Sequence, residues 1–410
     1  MKHPTRSTKV RGPRIAAAAA ASLGVALLSA CSTTAAPGDA AQPDGHAGHA
    51  HGTQLAVSTP GGITVLASDP EHGELEVTGS LPTEEFARLN AFGDGTHLLV
   101  TTSKGFEVLD STTAEFTGLI FPATAAGHVV RHDGATVLFD DGTGLTTIMG
   151  SDALLTDGAT APETRGYEAA APHHGVSILL ADGTLLTTVG TADARTGAAA
   201  LAPHDDHWHE HAVSAECPGI HGEGTAQAEV AVFGCEDGAL LYKDGAFTKL
   251  ASPDAFGRIG NAFATADSPI VVGDYKSDPD AEGYLLDAVS LIDTAAETLT
   301  VAELPEHVRY TYRDVVRGPG GNAYILSTDG AIHVLDAQTG TITESFPVVA
   351  PWAGPENWQD AHPTIVADGD SAYVTEPATS SVHTVNLQTG KIVATAKLDA
   401  VPNEIAVALG

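Results

Sequence analysis

Residues 315–328 read VVRGPGGNAYILST, and residues 363–375 read PTIVADGDSAYVT. Each is a short apolar run, a turn rich in glycine, proline or aspartate, and a second apolar run, which is the pattern of a β-hairpin. The same pattern recurs upstream as LNAFGDGTHLLVTTS at 89–103, VVRHDGATVLFDD at 129–141 and AAAPHHGVSILLAD at 169–182. A third run often follows, as in AIHVLD at 331–336 and SVHTVN at 381–386, and both of these lead into Gln-Thr-Gly turns. No long window carries helical periodicity. The units open about 38 to 52 residues apart, and that period with three or four strands per unit is the signature of a β-propeller. Units open near Leu89, His128, Glu168, His211, Asn261, Arg313 and His362. An eighth can form from both ends of the chain, with 403–409 as its inner strand and 54–57 and 63–67 as outer ones. Such closure removes the sheet edges that would otherwise aggregate. The expected fold is therefore all-β, a propeller of eight blades over residues 53–410, with seven blades as the alternative.

The composition narrows the partners. The chain has 52 acidic and 19 basic residues. Five of the basic ones, Lys2, Arg6, Lys9, Arg11 and Arg14, fall in the first thirty residues, where there are no acids. Without that segment 14 basic residues face 52 acidic ones, a net charge of −38. Such a surface repels nucleic acid and anionic lipid headgroups and concentrates cations. At 43% hydrophobic residues the chain can bury a sizeable core.

The first thirty residues read as a targeting segment. A basic region precedes an apolar run from Ile15 to Leu28, too short for a membrane span, and Leu28-Ser29-Ala30-Cys31 follows. Those four residues resemble a bacterial lipobox, which implies cleavage before Cys31 and a lipid anchor on its sulfur. Residues 1–30 are then a signal peptide and 31–52 a tether of small and polar residues that cannot build a core. The expected location is extracytoplasmic, held at the cell membrane by lipid alone, or periplasmic, and the expected state is a monomer. Cys217 and Cys235 remain as an even pair in an oxidising compartment, and a disulfide between them is expected.

Histidines carry the chemistry. Residues 204–211 read HDDHWHEH, four imidazoles and three carboxylates in eight residues. These are the donors that first-row divalent metals take. On a strand His207, His209 and His211 share a face, but together they span roughly 13 Å at about 3.3 Å per residue, too far for one ion unless the strand bends. The candidate ligands are His204, Asp206, His207, His209 and His211, with His128 added from a neighbouring unit. Aligned on their first turn, the units place His128, Glu168, His211, Arg313 and His362 near equivalent positions at one rim of the channel. His221 could swing onto the cluster. His97, His132, His174, His333 and His383, taken singly, read as turn or surface residues. His46, His49 and His51 in the tether form an auxiliary, low-affinity metal arm. Nitrogen and oxygen donors with no free thiolate, and Met149 as the one methionine after residue 30, point to zinc, with Cu(II) or Ni(II) behind it. They disfavour Cu(I), calcium and magnesium.

The signal segment, the histidine-rich tether at 46–51, the propeller repeats and the motif at 204–211 together resemble the zinc metallochaperones associated with Azt-type zinc ABC importers. The resemblance implies an extracytoplasmic propeller that binds Zn2+ and hands it to the importer's solute-binding protein, with the zinc role on residues 204–211. Two other classes stay open. One is a metal-dependent propeller hydrolase of lactonase type, with Glu210 or Glu168 as general base. The other is a surface propeller that binds protein. The chain has no nucleophile elbow, phosphate-cradling loop or dinucleotide fingerprint.

Overall fold

The second strands of the repeats are apolar on both faces, as in Ala135–Asp140 and Val230–Cys235, every residue of which is buried. A strand covered on both sides needs a sheet on each side. The computed structural model, which describes residues 52–205 and 207–410, supplies them. The described residues form eight four-stranded antiparallel sheets. Their innermost strands are Arg88–Ala91, Ala126–His132, Ser177–Leu179, His221–Ala226, Ala262–Phe263, Val315–Arg317, Ile365–Asp368 and Ile405–Val407, here called blades 1 to 8. Innermost strands of neighbouring blades pack around a channel, and the ring closes where Ile405–Val407 meets Arg88–Ala91. The propeller has eight blades, as the repeats predict.

Blade 8 is built from both chain ends. Ile405–Val407 pairs antiparallel with Thr53–Thr59 in the register Leu55 to Val407, Ala56 to Ala406 and Val57 to Ile405. Gly62–Asp69 and Glu74–Pro82 complete it; the latter strand has no counterpart in the sequence reading.

The core lies between blades. Leu186, Ala199, Phe233 and Leu240 pack in one cluster that joins blades 3 and 4. Ala56, Val65, Leu98 and Ala406 do the same across the closure. Phe233 is fully buried, and truncating such a side chain to alanine costs about 3–5 kcal/mol. Rim strands have only one covered side and are largely exposed, as Thr341–Pro347 shows.

Strand direction alternates, so position along the chain fixes the face of the ring. Every innermost strand of blades 1 to 7 starts at one mouth of the channel, the upper mouth. The connections between blades and the turns after second strands share that face. The turns after first and third strands lie at the lower face.

Two expected unit starts differ from the structure. Glu168 ends the rim strand Arg165–Glu168 of blade 2, and His211 lies in the rim strand His207–Ser214 of blade 3. The innermost strand of blade 3 is only three residues long, so its apolar signal is weak beside the longer rim hairpin. Residues 1–51 and Asp206 lie outside the described residues, and with them Cys31, His46, His49 and His51. No helix among the described residues is long and apolar enough to cross a membrane.

Candidate metal centre

Three imidazoles converge at the upper mouth. His128, His174 and His221 come from blades 2, 3 and 4, and each offers a ligand atom within 4.8 Å of the others. His128 and His221 sit at β-bulges. The pairing register slips between Ala126 and Val129 in blade 2 and between His221 and Glu223 in blade 4. Bulges re-aim side chains at strand ends, and here they turn both imidazoles into the channel. His174 occupies the equivalent place in the connection just before Ser177–Leu179. Its neighbour His173 points the other way, buried against the Thr188 hydroxyl at 3.0 Å.

Glycines beside the ligands leave no room for side chains. A Cβ at Gly175 would sit 2.5 Å from the Phe139 ring. At Gly222, where φ is +62°, it would sit 2.5 Å from the Gly260 carbonyl oxygen.

Each imidazole is held from behind through Nδ1. His128 meets the Gly175 carbonyl at 2.8 Å, His174 the Asp141 carboxylate at 2.5 Å and His221 the Gly260 carbonyl at 2.6 Å. Carbonyl and carboxylate oxygens only accept, so each Nδ1 carries a proton, and in the neutral imidazole Nε2 then presents its lone pair. His174 Nε2 and His221 Nε2 lie 3.0 Å apart. At that distance the two nitrogens either share a proton or, with both lone pairs bare, are held together by a metal ion that takes both. Two nitrogens on a tetrahedral zinc, at about 2.0–2.1 Å each, are about 3.3 Å apart. The carboxylate behind His174 and the carbonyls behind the others are the partners that orient metal-ligating histidines.

The electrostatics keep His128 and His221 neutral. Burial holds the His128 imidazole well below its ordinary range, reinforced by His221, His174 and Arg88. Burial likewise lowers His221 to about 4. Neutral imidazole is the form that binds metal. The cavity around them has a volume of about 680 Å³ and is also lined by Arg88, Glu223, Arg258, Asp274 and Lys276. Glu223 is enclosed by the channel wall yet still reached by solvent, and desolvation raises its carboxyl to about 7. Three protein ligands facing an open cavity leave a coordination position free for water or an incoming donor.

No family model matches this chain. In sequence it is similar to the zinc chaperone AztD of Citrobacter koseri, 26% identical over 171 residues; the match spans 41% of this chain and 39% of that protein. Its fold is similar to that of the apo AztD structure from Citrobacter koseri, with a TM-score of 0.71 at 20% identity, covering 87% of this chain and 98% of that one. The chain resembles the AztD-type zinc chaperones. A second crystal structure of Citrobacter koseri AztD gives a TM-score of 0.68 at the same identity and coverage. A dihydro-heme d1 dehydrogenase, NirN in complex with DHE, shares the ring at a TM-score of 0.57 and 12% identity, over 90% of this chain and 77% of that one. At these identities the structural likeness shows the fold, an eight-bladed ring. The sequence match spans under half of either chain.

The residues singled out from sequence are scattered. The motif at 204–211 forms the outer hairpin of blade 3, Arg195–His204 paired with His207–Ser214. Its turn lies at the lower face and its histidines are exposed. The His204 and His207 rings lie 4.7 Å apart between centroids, tilted by 43°. Trp208 clamps the hairpin to blade 2 by donating to the Gly166 carbonyl at 2.8 Å, with the Arg165 guanidinium 3.9 Å above its ring. His211 meets the Tyr242 hydroxyl at 2.9 Å. The hairpin therefore neither lines the channel nor meets His128. His362 and Arg313 do stand at the expected rim positions but bind each other: Arg313 Nη2 lies 2.8 Å from His362 Nδ1, and Arg313 Nη1 lies 3.0 Å from Glu404. His128 is in the imidazole cluster. His174, read from sequence as a turn or surface residue, joins it, and so does His221, though away from the hairpin it was set beside. The legible signal was a histidine next to glycine once per repeat: Gly127-His128, His174-Gly175 and His221-Gly222.

Cys217 and Cys235 form a disulfide. It closes an 18-residue loop that contains His221 and ties the entry of blade 4 to its second strand.

Proposed function

We propose that this protein is an extracytoplasmic zinc carrier that holds Zn2+ on His128, His174 and His221 and passes it to the solute-binding protein of a zinc ABC importer. The observation that carries the reading is the pair of Nε2 atoms 3.0 Å apart, each with its Nδ1 committed to an acceptor behind it. Zinc is cargo here. The rigid ring holds three nitrogens in place, so little ordering cost is added on binding. The open cavity lets a donor from the receiving protein enter the free position, after which the imidazoles let go one by one. Arg88, Arg258 and Lys276 around the cavity suit carboxylates on that partner. The resemblance to AztD in sequence and fold supports the same reading.

The remaining histidines take lesser roles. His204, His207, His209 and His211 form an exposed outer group that collects zinc weakly, and Asp206 is a further donor for it. His46, His49 and His51 act likewise on a tether anchored through Cys31. Cu(II) and Ni(II) compete at all of these sites.

Equilibrium dialysis of the metal-free protein at neutral pH is expected to find one tightly held zinc. Replacing His174 and His221 by alanine abolishes it, and His209→Ala with His211→Ala leaves it. Loaded protein loses its zinc to the purified solute-binding protein faster than to buffer. Tight binding that survives loss of both His174 and His221 sinks the assignment. Glu223 favours one second reading, because it lines the same cavity as the three imidazoles and its carboxyl, raised to about 7, suits a general base. Ester or lactone turnover by the zinc-loaded protein, lost in Glu223→Gln, would support hydrolysis instead.

A further inference from the structure

Among the described residues, imidazoles and a carboxylate converge in one other place. His307, Asp329 and His333 each offer a ligand atom within 4.8 Å of the others. His307 lies in the connection between blades 5 and 6, and Asp329 in the turn after the second strand of blade 6. Both connections of that kind face the upper mouth, the side of the three-imidazole centre. His333 belongs to the third strand, Ala331–Asp336. Its side chain is only 3% exposed. Its Nδ1 lies 2.7 Å from the Ser345 hydroxyl, and its Nε2 lies 3.1 and 3.2 Å from the two Asp329 oxygens. The exposed His307 ring stands edge-on to it at 5.8 Å between centroids.

The next blade supplies a reference. His383 holds the same place in SVHTVN that His333 holds in AIHVLD. Its Nδ1 lies 2.9 Å from the Thr395 hydroxyl and its Nε2 3.2 Å from Glu376. That carboxylate also accepts from the Ala350 N–H and the Thr379 hydroxyl. Among the described residues no second imidazole joins this pair. The histidine–carboxylate brace is thus shared by blades 6 and 7, and His307 is what blade 6 adds to it.

We propose that His307, Asp329 and His333 form a second, exchangeable site for zinc or a similar divalent ion, on the same face as His128, His174 and His221. Two nitrogens and a carboxylate oxygen, with a fourth position open to water, are a zinc donor set. Ser345 fixes the His333 ring from behind, as a metal-bound histidine requires. Drawing the three ligand atoms in to about 3.3 Å around a tetrahedral ion means rotating the exposed His307 and the partly exposed Asp329. That ordering costs affinity, so the site fills after the preorganised centre and empties before it.

The test uses the mature chain and zinc chloride. With free zinc buffered in the micromolar range, modification of His307 by diethyl pyrocarbonate is followed by peptide mass spectrometry. Zinc is expected to slow it several-fold, and Asp329→Asn with His333→Gln removes the protection. A chain with His128, His174 and His221 all replaced by alanine keeps it, so this site and the main centre are read separately. Crystals soaked in zinc should show an anomalous peak between the three residues and none at Glu376 and His383. His307 reactivity indifferent to zinc, or protection undiminished in the Asp329→Asn, His333→Gln variant, overturns the proposal.

Discussion

Asp141→Ala should weaken zinc binding about 100-fold without unfolding the protein. One oxygen of Asp141 holds His174 Nδ1 at 2.5 Å, and the other accepts the Gly175 N–H at 3.2 Å. The carbonyl of Gly175 in turn holds His128 Nδ1 at 2.8 Å. One carboxylate therefore positions two of the three ligands, one directly and one through a peptide group. Loss of a single such partner costs about 10–100-fold in metal affinity, and the double role places Asp141→Ala at the upper end, about 2.7 kcal/mol. Asp141→Asn keeps an oxygen for His174 but removes the charge, and about tenfold is expected. The Asp141 side chain is 21% exposed in a turn and accepts two hydrogen bonds, so metal-free stability should fall by about 1–3 kcal/mol with the fold kept. Competition against a chromophoric zinc chelator gives the affinities, and thermal unfolding of the metal-free variants gives the control. The two effects are also coupled: in a His174→Ala background the cost of Asp141→Ala should shrink to what passes through Gly175. Wild-type affinity in Asp141→Ala, or full additivity with His174→Ala, would refute the reasoning.

Three further outcomes follow from buried groups and the crosslink. His221 falls from 6.5 to about 4 in the fold, so the unfolded chain binds a proton that the native metal-free protein refuses. Stability is lost as pH drops from about 6.5 to 4, by at most about 3 kcal/mol because solvent reaches the channel. In urea titrations across that window His221→Ala should lose less stability than wild type; parallel curves would contradict this. Glu223 works with the opposite sign. Its carboxyl rises from 4.5 to about 7, so stability is lost as pH climbs from about 4.5 to 7 and stays lost above that. Glu223→Gln should raise the melting temperature there and leave it unchanged below pH 4.5, and equal shifts at both ends would argue against burial as the cause. Replacing Cys217 and Cys235 together by serine should cost about 3 kcal/mol for a loop of this length. It should also slacken the segment carrying His221, seen as weaker zinc binding in the same competition assay.

Periodicity alone determined the ring. Strands covered on both sides by neighbouring blades must be apolar throughout, so the repeats, their number and the closure by residues near 405 and 55 were legible without coordinates. The cysteine pair was legible too, because only two cysteines remain after Cys31. The site was not. A dense motif such as 204–211 stands out in a sequence, yet the hydrogen-bond order of blade 3 puts it on the outermost hairpin, exposed and with its turn at the lower face. His128, His174 and His221 stand one repeat apart, 47 residues between the last two; sequence alone sets His128 beside the wrong partners, lets His221 swing onto them, and makes His174 singly look like an incidental turn residue. Closing the ring sets the starts of adjacent innermost strands side by side, and two bulges turn the side chains inward. Ligand geometry is a matter of ångströms between residues distant along the chain. Composition and spacing carry the donors, and only the tertiary structure, through the register of each blade against the next, decides which of them meet.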